Sequence, residues 1–165
     1  MEKTQKSIGE GGKQLTISSL LRPERINLNL KSRKKPEVLR ELISLIKTGK
    51  EADMLLETIL TREELGSTGI GRGIGIPHCR SLLIDKLELA VGRSKSGVDF
   101  NAIDKKPVHF FFLIVAPPQD PGNQYLIILG RVAMICQELV KKKQYMKPQT
   151  PEELIELIKS LEEKL

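Results

Sequence analysis

The chain has 165 residues, which favours one domain, since domains most often run to about 100–200 residues. Hydrophobic residues make up 39% and charged residues 29% of the chain, a balance that excludes wholesale disorder. Aromatic residues make up only 4%, without any Trp, so we expect an aliphatic core. The longest uninterrupted apolar run, residues 110–116, is far shorter than the ~20 residues of a membrane-spanning helix. We therefore expect no direct membrane insertion.

The net charge of +6 allows an acidic partner. However, the basic clusters at residues 31–35 and 141–143 contain no aromatic residues on which bases can stack, so we expect no nucleic-acid partner. Residues 1–14 are polar and lack the apolar segment of a secretory signal, which predicts a flexible N-terminal arm on a cytoplasmic protein. The domain is then expected to span residues 15–165. Two distant cysteines, Cys79 and Cys136, are expected to be free thiols.

The first half of the domain predicts one strand and two helices. Ile26, Leu28 and Leu30 alternate with asparagines, which predicts a half-buried strand. Pro36 suits a first helical turn and Gly49 is placed to end that helix. Its apolar positions have helical spacing: Val38, Leu39, Leu42, Ile43, Leu45 and Ile46. A second helix, which ends near residues 62–64, has its own apolar face: Ala52, Leu55, Leu56, Ile59 and Leu60.

The second half predicts two strands followed by two helices. Leu87, Leu89 and Val91 alternate with other residues, as in a strand. Residues 108–115, VHFFFLIV, are apolar on both faces of the predicted strand, which is typical of a strand covered by helices on both sides. Residues 124–140 are apolar nearly all round and predict a buried helix with Asn123 as its N-cap.

The last helix carries its own start signal. Thr150, Pro151 and Glu153 combine an N-cap, a first-turn proline and a capping-box glutamate. An apolar stripe follows: Leu154, Leu157, Ile158 and Leu161. Taken together, the alternating elements predict a single three-layer α/β domain, with a mixed β-sheet flanked by helices on both faces.

Residues 66–78, GSTGIGRGIGIPH, contain five of the 13 glycines. Such loops often bind phosphate through clustered backbone amides. Neither G-x-x-x-x-G-K-[ST] nor G-x-G-x-x-G occurs here, so the sequence gives little support for a nucleotide site. A twisted strand and turn whose glycines relieve crowding explains the composition equally well. From the residues alone, both interpretations stay open.

His78 directly follows Pro77 at the end of this segment. With an ordinary pKa of ~6.5, a neutral imidazole is available near neutral pH as a nucleophile or an acid/base group. A surface-loop histidine without a catalytic role is the alternative. We expect no metal, because His78, Cys79, His109 and Cys136 have no recognisable ligand spacing. No nucleophile-elbow motif supports a Ser/His/Asp triad.

Residues 62–80, REELGSTGIGRGIGIPHCR, resemble the signature of phosphotransferase-system enzyme IIA domains of the fructose/mannitol type. That family includes the nitrogen-regulatory IIA proteins. The resemblance continues upstream through residues 20–30 and downstream through residues 96–118 and the Leu-rich helix that follows them. It thus covers the chain roughly from Leu15 to the end, and it implies a similar fold, a sheet sandwiched by helices.

The resemblance implies a phosphohistidine carrier without a cofactor. His78 would accept a phosphoryl group from the phosphocarrier protein HPr. It would then pass the group to a IIB component or use it to regulate other proteins. Arg62 matches the family's arginine and would donate two N–H groups to phosphoryl oxygens. Ser67 and Thr68 would donate hydrogen bonds to the phosphoryl group or serve as turn residues.

One position departs from the family pattern. A second histidine is usual at the start of the helix after the central strand, and Gln124 and Tyr125 stand there instead. Either side chain can hydrogen-bond a phosphoryl oxygen, but neither carries the charge of an imidazolium. The N-terminal amides of that helix are expected to compensate in part. The alternative is a IIA-like regulatory binding module with weakened or lost phosphotransfer. No IIB phosphocysteine loop or permease segment is visible, and the resemblance is closest to the nitrogen-regulatory branch. A separate sugar-specific IIA stays open as the alternative.

Overall fold

The structure, a computed structural model, describes residues 15–165, so the arm predicted at residues 1–14 lies outside the described residues. The helices are α1 Ile17–Leu20, α2 Lys35–Ile43, α3 Gly49–Glu64, α4 Gln124–Leu139 and α5 Pro151–Glu163. The strands are β1 Ile26–Asn27, β2 Gly69–Gly71, β3 Ile74–Gly75, β4 His78–Arg80, β5 Glu88–Val98 and β6 Val108–Ala116. Short 3₁₀ segments occur at Pro23–Arg25 and Lys141–Met146. In the described part of the chain, no helix is both long enough and apolar enough to cross a membrane.

The strands form one mixed sheet in the order β1-β5-β6-β3-β2. Strand β6 runs antiparallel to β5 on one side and parallel to β3 and β4 on the other. Strand β1 extends the sheet parallel to β5, and β2 pairs antiparallel with β3. The mixed sheet predicted from the sequence is confirmed.

Strand β6 divides the core into two layers, because successive side chains of a strand point to opposite faces. Phe110, Phe112 and Ile114 join a cluster that includes α1, α4 and α5. Phe111 and Leu113 join the cluster of α2 and α3 on the other face. This arrangement confirms the predicted three layers.

Strands β3 and β4 are two parts of one interrupted strand. Ile74 lies opposite Phe110, and His78, four residues later, lies opposite Ile114, four residues later on β6. The interruption includes Pro77, which has no N–H to donate, although its carbonyl still accepts from the Ile114 amide at 3.0 Å. The break therefore places His78 beside the central strand at a point where the local chain leaves regular pairing.

Two predicted element boundaries are wrong. Helix α2 ends at Ile43, and Gly49 begins α3 with a left-handed φ of 62°. The reason is that the chain leaves the helix in tight turns, in which the amides of Leu45 and Ile46 bond three residues back. The strand at Ile26–Asn27 is also shorter than predicted, although Leu28 and Leu30 remain buried.

The predicted caps differ in their outcome. Thr150 caps α5 as expected, by accepting from the Glu153 amide at 3.1 Å. Asn123 occupies the N-cap position of α4, but its side chain makes no capping bond. The carboxylate of Asp120 takes that role, accepting from the amides of Gln124 at 3.2 Å and Tyr125 at 2.9 Å. A left-handed Asn123, with φ of 54°, turns the chain so that Asp120 can reach the helix end.

Candidate functional site

His78 is half-buried at the start of β4. Its Nδ1 lies 2.7 Å from the carbonyl oxygen of Ile76. A carbonyl oxygen can only accept, so Nδ1 carries the hydrogen, and in the neutral ring the lone pair is on Nε2. The backbone before β4 thus fixes the ring in the tautomer whose nucleophilic atom is Nε2.

Burial lowers the pKa of His78 below its ordinary value of 6.5. The Ile76 carbonyl and the Glu63 carboxylate oppose this effect, while the positive charge of Arg62 adds to it. The net result favours the neutral ring at neutral pH, because removing a charge from water disfavours the protonated form. A neutral imidazole is the form that can attack phosphorus.

Arg62 lies in the last turn of α3 and is half-exposed. Its Nη1 donates to the Gly66 carbonyl at 3.0 Å, which anchors the side chain over the loop that leads to His78. Its charge adds to the lowering of the His78 pKa by burial and partly opposes the rise that burial causes in the pKa of Tyr125. Because a guanidinium has five N–H donors, several remain for an anion after the bond to Gly66.

Thr68 and Ser67 hold the glycine-rich loop in place. The Thr68 amide and hydroxyl both donate to the Glu63 carboxylate, at 2.9 and 2.7 Å. The Ser67 hydroxyl donates to the Phe100 carbonyl at 3.1 Å and accepts from the Gly69 amide. With these hydrogens engaged, the arrangement agrees with the turn-residue interpretation of both side chains and leaves them no hydroxyl hydrogen for a phosphoryl group.

Glu63 is a site residue that the sequence interpretation missed. Although it is only 6% exposed, its carboxylate joins the end of α3 to the loop through Thr68 and lies 3.5 Å from the Lys35 ammonium. A buried carboxylate needs such partners, because an unpaired one is strongly disfavoured. Its only signal in the sequence is its position beside Arg62.

The glycines of the loop relieve crowding. A Cβ on Gly69 would lie 2.8 Å from the Cα of Ala102, closer than real atoms approach. Gly73 has a φ of +85° at the turn between β2 and β3, where side chains are rarely tolerated. Of the two interpretations left open by the sequence, these contacts support the strand and turn.

Tyr125 approaches His78 from the first turn of α4. The two ring centroids are 6.1 Å apart, at an interplanar angle of 55°. Burial raises the pKa of the Tyr125 hydroxyl to about 12, so the hydroxyl keeps its hydrogen and can donate. Within residues 15–165, no protein group bonds to this hydroxyl. Gln124 is partly exposed beside it.

Arg80 supplies a charge that the sequence interpretation did not anticipate. Its guanidinium carbon lies 4.6 Å from the centroid of the Tyr125 ring, a cation–π distance. It also donates to the Pro117 carbonyl at 3.1 Å and lies 3.8 Å from an Asp120 oxygen. The sequence did contain one indication of this role. Arg80 lies two residues after His78, and side chains two residues apart in a strand point to the same face of the sheet.

The compensation expected from the N-terminal amides of α4 is limited by a carboxylate at that end of the helix. The Gln124 and Tyr125 amides are bonded to Asp120. That carboxylate offsets the positive end of the helix, since an anion there is favoured by the same dipole that would attract phosphate. The positive charge near Tyr125 comes from Arg80 instead.

The remaining histidine and the thiols lie apart from this arrangement. His109 is on β6, five residues before Ile114 and hence about 16 Å from the position opposite His78. Cys79 and Cys136 are buried and free, and burial raises the pKa of each thiol to about 12, which keeps them protonated and unreactive. Among residues 15–165, no three His, Cys, Asp or Glu side chains are grouped so as to hold a metal.

The chain is similar to several proteins with established names, among them the following two. It is 35% identical over 147 residues to the PTS system fructose-specific EIIABC component of Bacillus subtilis, a match that covers 87% of this chain but 23% of that protein. It is 33% identical over 132 residues to the nitrogen regulatory protein of Bradyrhizobium diazoefficiens, which covers 78% of this chain and 86% of the relative.

Solved structures have the same fold. The nitrogen regulatory protein IIA-Ntr of Neisseria meningitidis has a TM-score of 0.69 at 25% identity, over 86% of this chain and 98% of that one. The IIA of mannitol from Escherichia coli, solved in complex with phosphorylated IIB, has a TM-score of 0.67 over 85% of this chain and 97% of that one. Its identity is 17%, so that likeness shows the fold alone.

The family model for "Phosphoenolpyruvate-dependent sugar phosphotransferase system, EIIA 2" matches residues 19–161, which include both faces of the sheet and the whole His78 loop. With the fold, the loop and the relatives in agreement, this chain belongs to the EIIA type 2 family of the phosphotransferase system.

Proposed function

We propose that the chain is a phosphohistidine carrier and that Nε2 of His78 is its phosphoryl acceptor. The observation that carries the proposal is the 2.7 Å contact between Nδ1 and the Ile76 carbonyl, which leaves the Nε2 lone pair available. The donor is a phosphorylated HPr-like protein. As the bond from phosphorus to His78 Nε2 forms, the phosphorus–nitrogen bond in the donor breaks, and its electron pair returns to the donor's ring nitrogen.

Arg62 is the group that stabilises the transferred phosphoryl group. Phosphoryl transfer needs positioning and positive charge around the equatorial oxygens more than covalent chemistry. The guanidinium is fixed by Gly66 and acts on His78 electrostatically. Its remaining N–H donors would bind the phosphoryl oxygens in two parallel hydrogen bonds.

Tyr125 and Gln124 take the place of the second family histidine as hydrogen-bond donors. The Tyr125 hydroxyl is protonated and unbonded to protein in residues 15–165, and Arg80 adds positive charge behind the ring. Together, they supply a donor and a cation that a single imidazolium would have combined. This division of roles supports retained transfer over the alternative of a binding module that has lost it.

Protein partners are expected to dock around His78 through apolar contacts. Leu65, at the end of α3, is 84% exposed, and Leu126, next to Tyr125, is 59% exposed. Both residues are close neighbours in sequence of groups assigned to the site, Arg62 and Tyr125, and we propose that they contribute to one apolar binding surface. We propose an HPr-like donor and either a IIB component or a regulatory target as successive partners on this face.

The branch of the family is a further proposal. Relatives with the printed names fructose-specific EIIABC component and nitrogen regulatory protein are similarly close. We propose the nitrogen-regulatory branch, supported by the resemblance of residues 20–30 to that branch and by the nitrogen regulatory relative that is 33% identical over 78% of this chain. A sugar-specific IIA is the alternative. The cytoplasmic location stays a prediction from the sequence.

The proposal is tested by incubating the chain with phosphorylated HPr and measuring intact mass. We expect a gain of one phosphoryl group in the wild type and in His109→Asn, and no gain in His78→Gln. Each variant lacks one of the two histidines. The comparison therefore shows whether phosphorylation requires His78 in particular or is lost whenever any histidine is replaced. Absence of any gain with a competent donor would favour the binding module.

A further inference from the structure

A second pocket lies at the opposite end of the sheet from His78. It has a volume of about 420 Å³ and lies between the β2–β3 turn, the start of β6 and the 3₁₀ segment Lys141–Met146. Its functional groups come from all three elements: Arg72, Lys106, Lys143, His109 and Tyr145. The carrier function proposed for His78 does not use any of them.

The rim of this pocket is positively charged. Arg72, Lys106 and Lys143 are exposed around it, and none of the three is in an ion pair within residues 15–165. The carboxylate that contacts this edge is Asp104, which accepts from the backbone amides of Arg72 at 3.0 Å and Lys106 at 3.1 Å. One carboxylate facing three cations leaves the rim with a net positive charge.

The floor of the pocket is polar. The Nδ1 of His109 lies 2.9 Å from the Ser94 carbonyl, so Nδ1 holds the hydrogen of that bond and Nε2 is the remaining ring nitrogen. The Tyr145 ring is buried against Phe110, with centroids 5.6 Å apart, but its hydroxyl bonds to no protein group in residues 15–165. Because no side-chain oxygen or nitrogen of the described residues is both buried and unpaired, this hydroxyl reaches the pocket surface, where it can donate to a ligand.

Gly73 keeps the floor open. A Cβ at this position would lie 2.8 Å from the Tyr145 hydroxyl oxygen and 3.8 Å from Cδ2 of His109. Any larger residue would therefore fill the space where the two polar groups meet. The glycine preserves a small polar recess under the charged rim.

A buried cation is hydrogen-bonded to the main chain of Tyr145. Arg93 is only 4% exposed, and its guanidinium donates to the carbonyls of Tyr145 at 3.3 Å and Pro148 at 2.5 Å. Within residues 15–165 it has no carboxylate partner. Isolated buried charges are costly, and in a low-dielectric surrounding the field of such a charge extends into the neighbouring space. Arg93 therefore adds to the positive potential of the pocket.

We propose that this pocket is a second ligand site that binds a small phosphorylated anion, independently of His78. Its volume falls in the range of small-molecule sites. Three cations at the rim and a hydroxyl donor at the floor suit the several oxygens of a phosphate dianion, because charge-assisted hydrogen bonds are the stronger ones. Lysine and arginine from separate elements would bind one anion from different sides.

The test is an NMR titration of amide-labelled protein with inorganic pyrophosphate at constant ionic strength. We expect saturable one-to-one binding, with shifts at the amides of Gly73, His109 and Tyr145. The double variant Lys106→Gln/Lys143→Gln should bind pyrophosphate about tenfold or more weakly than the wild type, since hydrogen bonds to charged groups are strong. Lys50→Gln/Lys86→Gln, which removes two exposed lysines elsewhere, should change binding by less than about twofold.

Two further variants separate this site from the phosphotransfer site. His78→Gln should bind pyrophosphate as the wild type does, and Tyr145→Phe should weaken binding with little change in the spectrum of the free protein. Equal weakening by both lysine pairs would overturn the proposal in favour of general attraction to a basic protein. Shifts confined to the His78 loop, or lost in His78→Gln, would also overturn it, without bearing on whether His78 carries phosphate.

Discussion

The ring of Tyr125 lies 6.1 Å from the ring of His78, centroid to centroid, and a guanidinium from Arg80 covers Tyr125 at 4.6 Å. A tyrosine thus lies beside His78, at the position where the resemblance leads us to expect a second histidine. We expect Tyr125→Phe to slow phosphorylation of His78 by about tenfold, the cost of one hydrogen bond to a charged group. The measurement is the rate of mass gain with phosphorylated HPr.

Tyr125→His is the matched variant. It introduces the histidine that the resemblance leads us to expect there, and we expect this variant to transfer at least as fast as the wild type. A Tyr125→Phe protein that transfers at the wild-type rate would show that the hydroxyl does not act on the phosphoryl group.

Arg62→Gln should slow phosphorylation by about 100-fold, the usual effect of removing one preorganised electrostatic donor. Because the side chain is half-exposed and makes one bond, to Gly66, the free energy of unfolding should change by less than about 0.5 kcal/mol. Arg62→Lys keeps the charge but not the paired donors, and should fall between the two rates. A variant that loses stability and rate together would assign Arg62 a structural role.

The lowered pKa of His78 predicts a pH dependence of stability. The unfolded chain protonates this histidine near its ordinary pKa of 6.5, whereas the folded chain does so only at lower pH. The unfolded state therefore binds more protons in that window, and the free energy of unfolding should fall as pH falls from about 6.5 to the folded pKa. Denaturant unfolding at several pH values measures it.

His78→Gln provides the control for that dependence, because it removes the titrating group while keeping a polar side chain. In this variant, the free energy of unfolding should fall less between about pH 6.5 and the folded pKa of His78, because the contribution of this histidine is absent. A ring NMR titration of His78 with a midpoint at or above 6.5 would contradict the prediction directly.

Thr68→Val should destabilise the domain by about 1–3 kcal/mol, because it leaves a buried oxygen of Glu63 without its hydroxyl donor. Thr68→Ser keeps the hydroxyl and should lose less. Urea unfolding measures both. Unchanged stability combined with slower phosphorylation would instead return the hydroxyl to the phosphoryl group.

Gly69→Ala and Gly130→Ala should have opposite effects. A Cβ at Gly69 would press on the Ala102 backbone at 2.8 Å, and we expect a loss of about 1–3 kcal/mol. Gly130 lies within α4 with no atom within 4 Å of its would-be Cβ, so alanine should stabilise the helix by about 0.5–1 kcal/mol. Thermal unfolding measures both variants. Midpoint temperatures that shift in the same direction in the two variants would contradict the prediction.

Most of the fold was predictable because its signals are local. The apolar run of β6, the helical spacing of α3 and the Thr150 cap each depend on neighbouring residues, and each is confirmed. Gly49 misled because glycine suits the left-handed turn between two helices as well as the end of one. Capping by Asp120 was not visible, because its reach depends on the left-handed φ of Asn123.

The site was less predictable, because its contacts depend on how elements meet. The resemblance pointed to His78 and Arg62, and whether they act as proposed stays a prediction. Nothing in the sequence indicated that the Glu63 carboxylate would accept hydrogen bonds from both the amide and the hydroxyl of Thr68. Nor did it indicate that Arg80 would lie over the Tyr125 ring. Such pairings arise only when α3, β4 and α4 pack around the same end of the sheet.

The Ile76 carbonyl that bonds to His78 belongs to the main chain, which has a consequence for how this protein can diverge. Replacement of the side chain at position 76 alters the core but leaves that oxygen in place. A substitution at position 76 should therefore not change which nitrogen of the His78 ring carries the hydrogen. More generally, substitutions that leave this stretch of main chain in place should keep Nε2 as the ring nitrogen that is free to react.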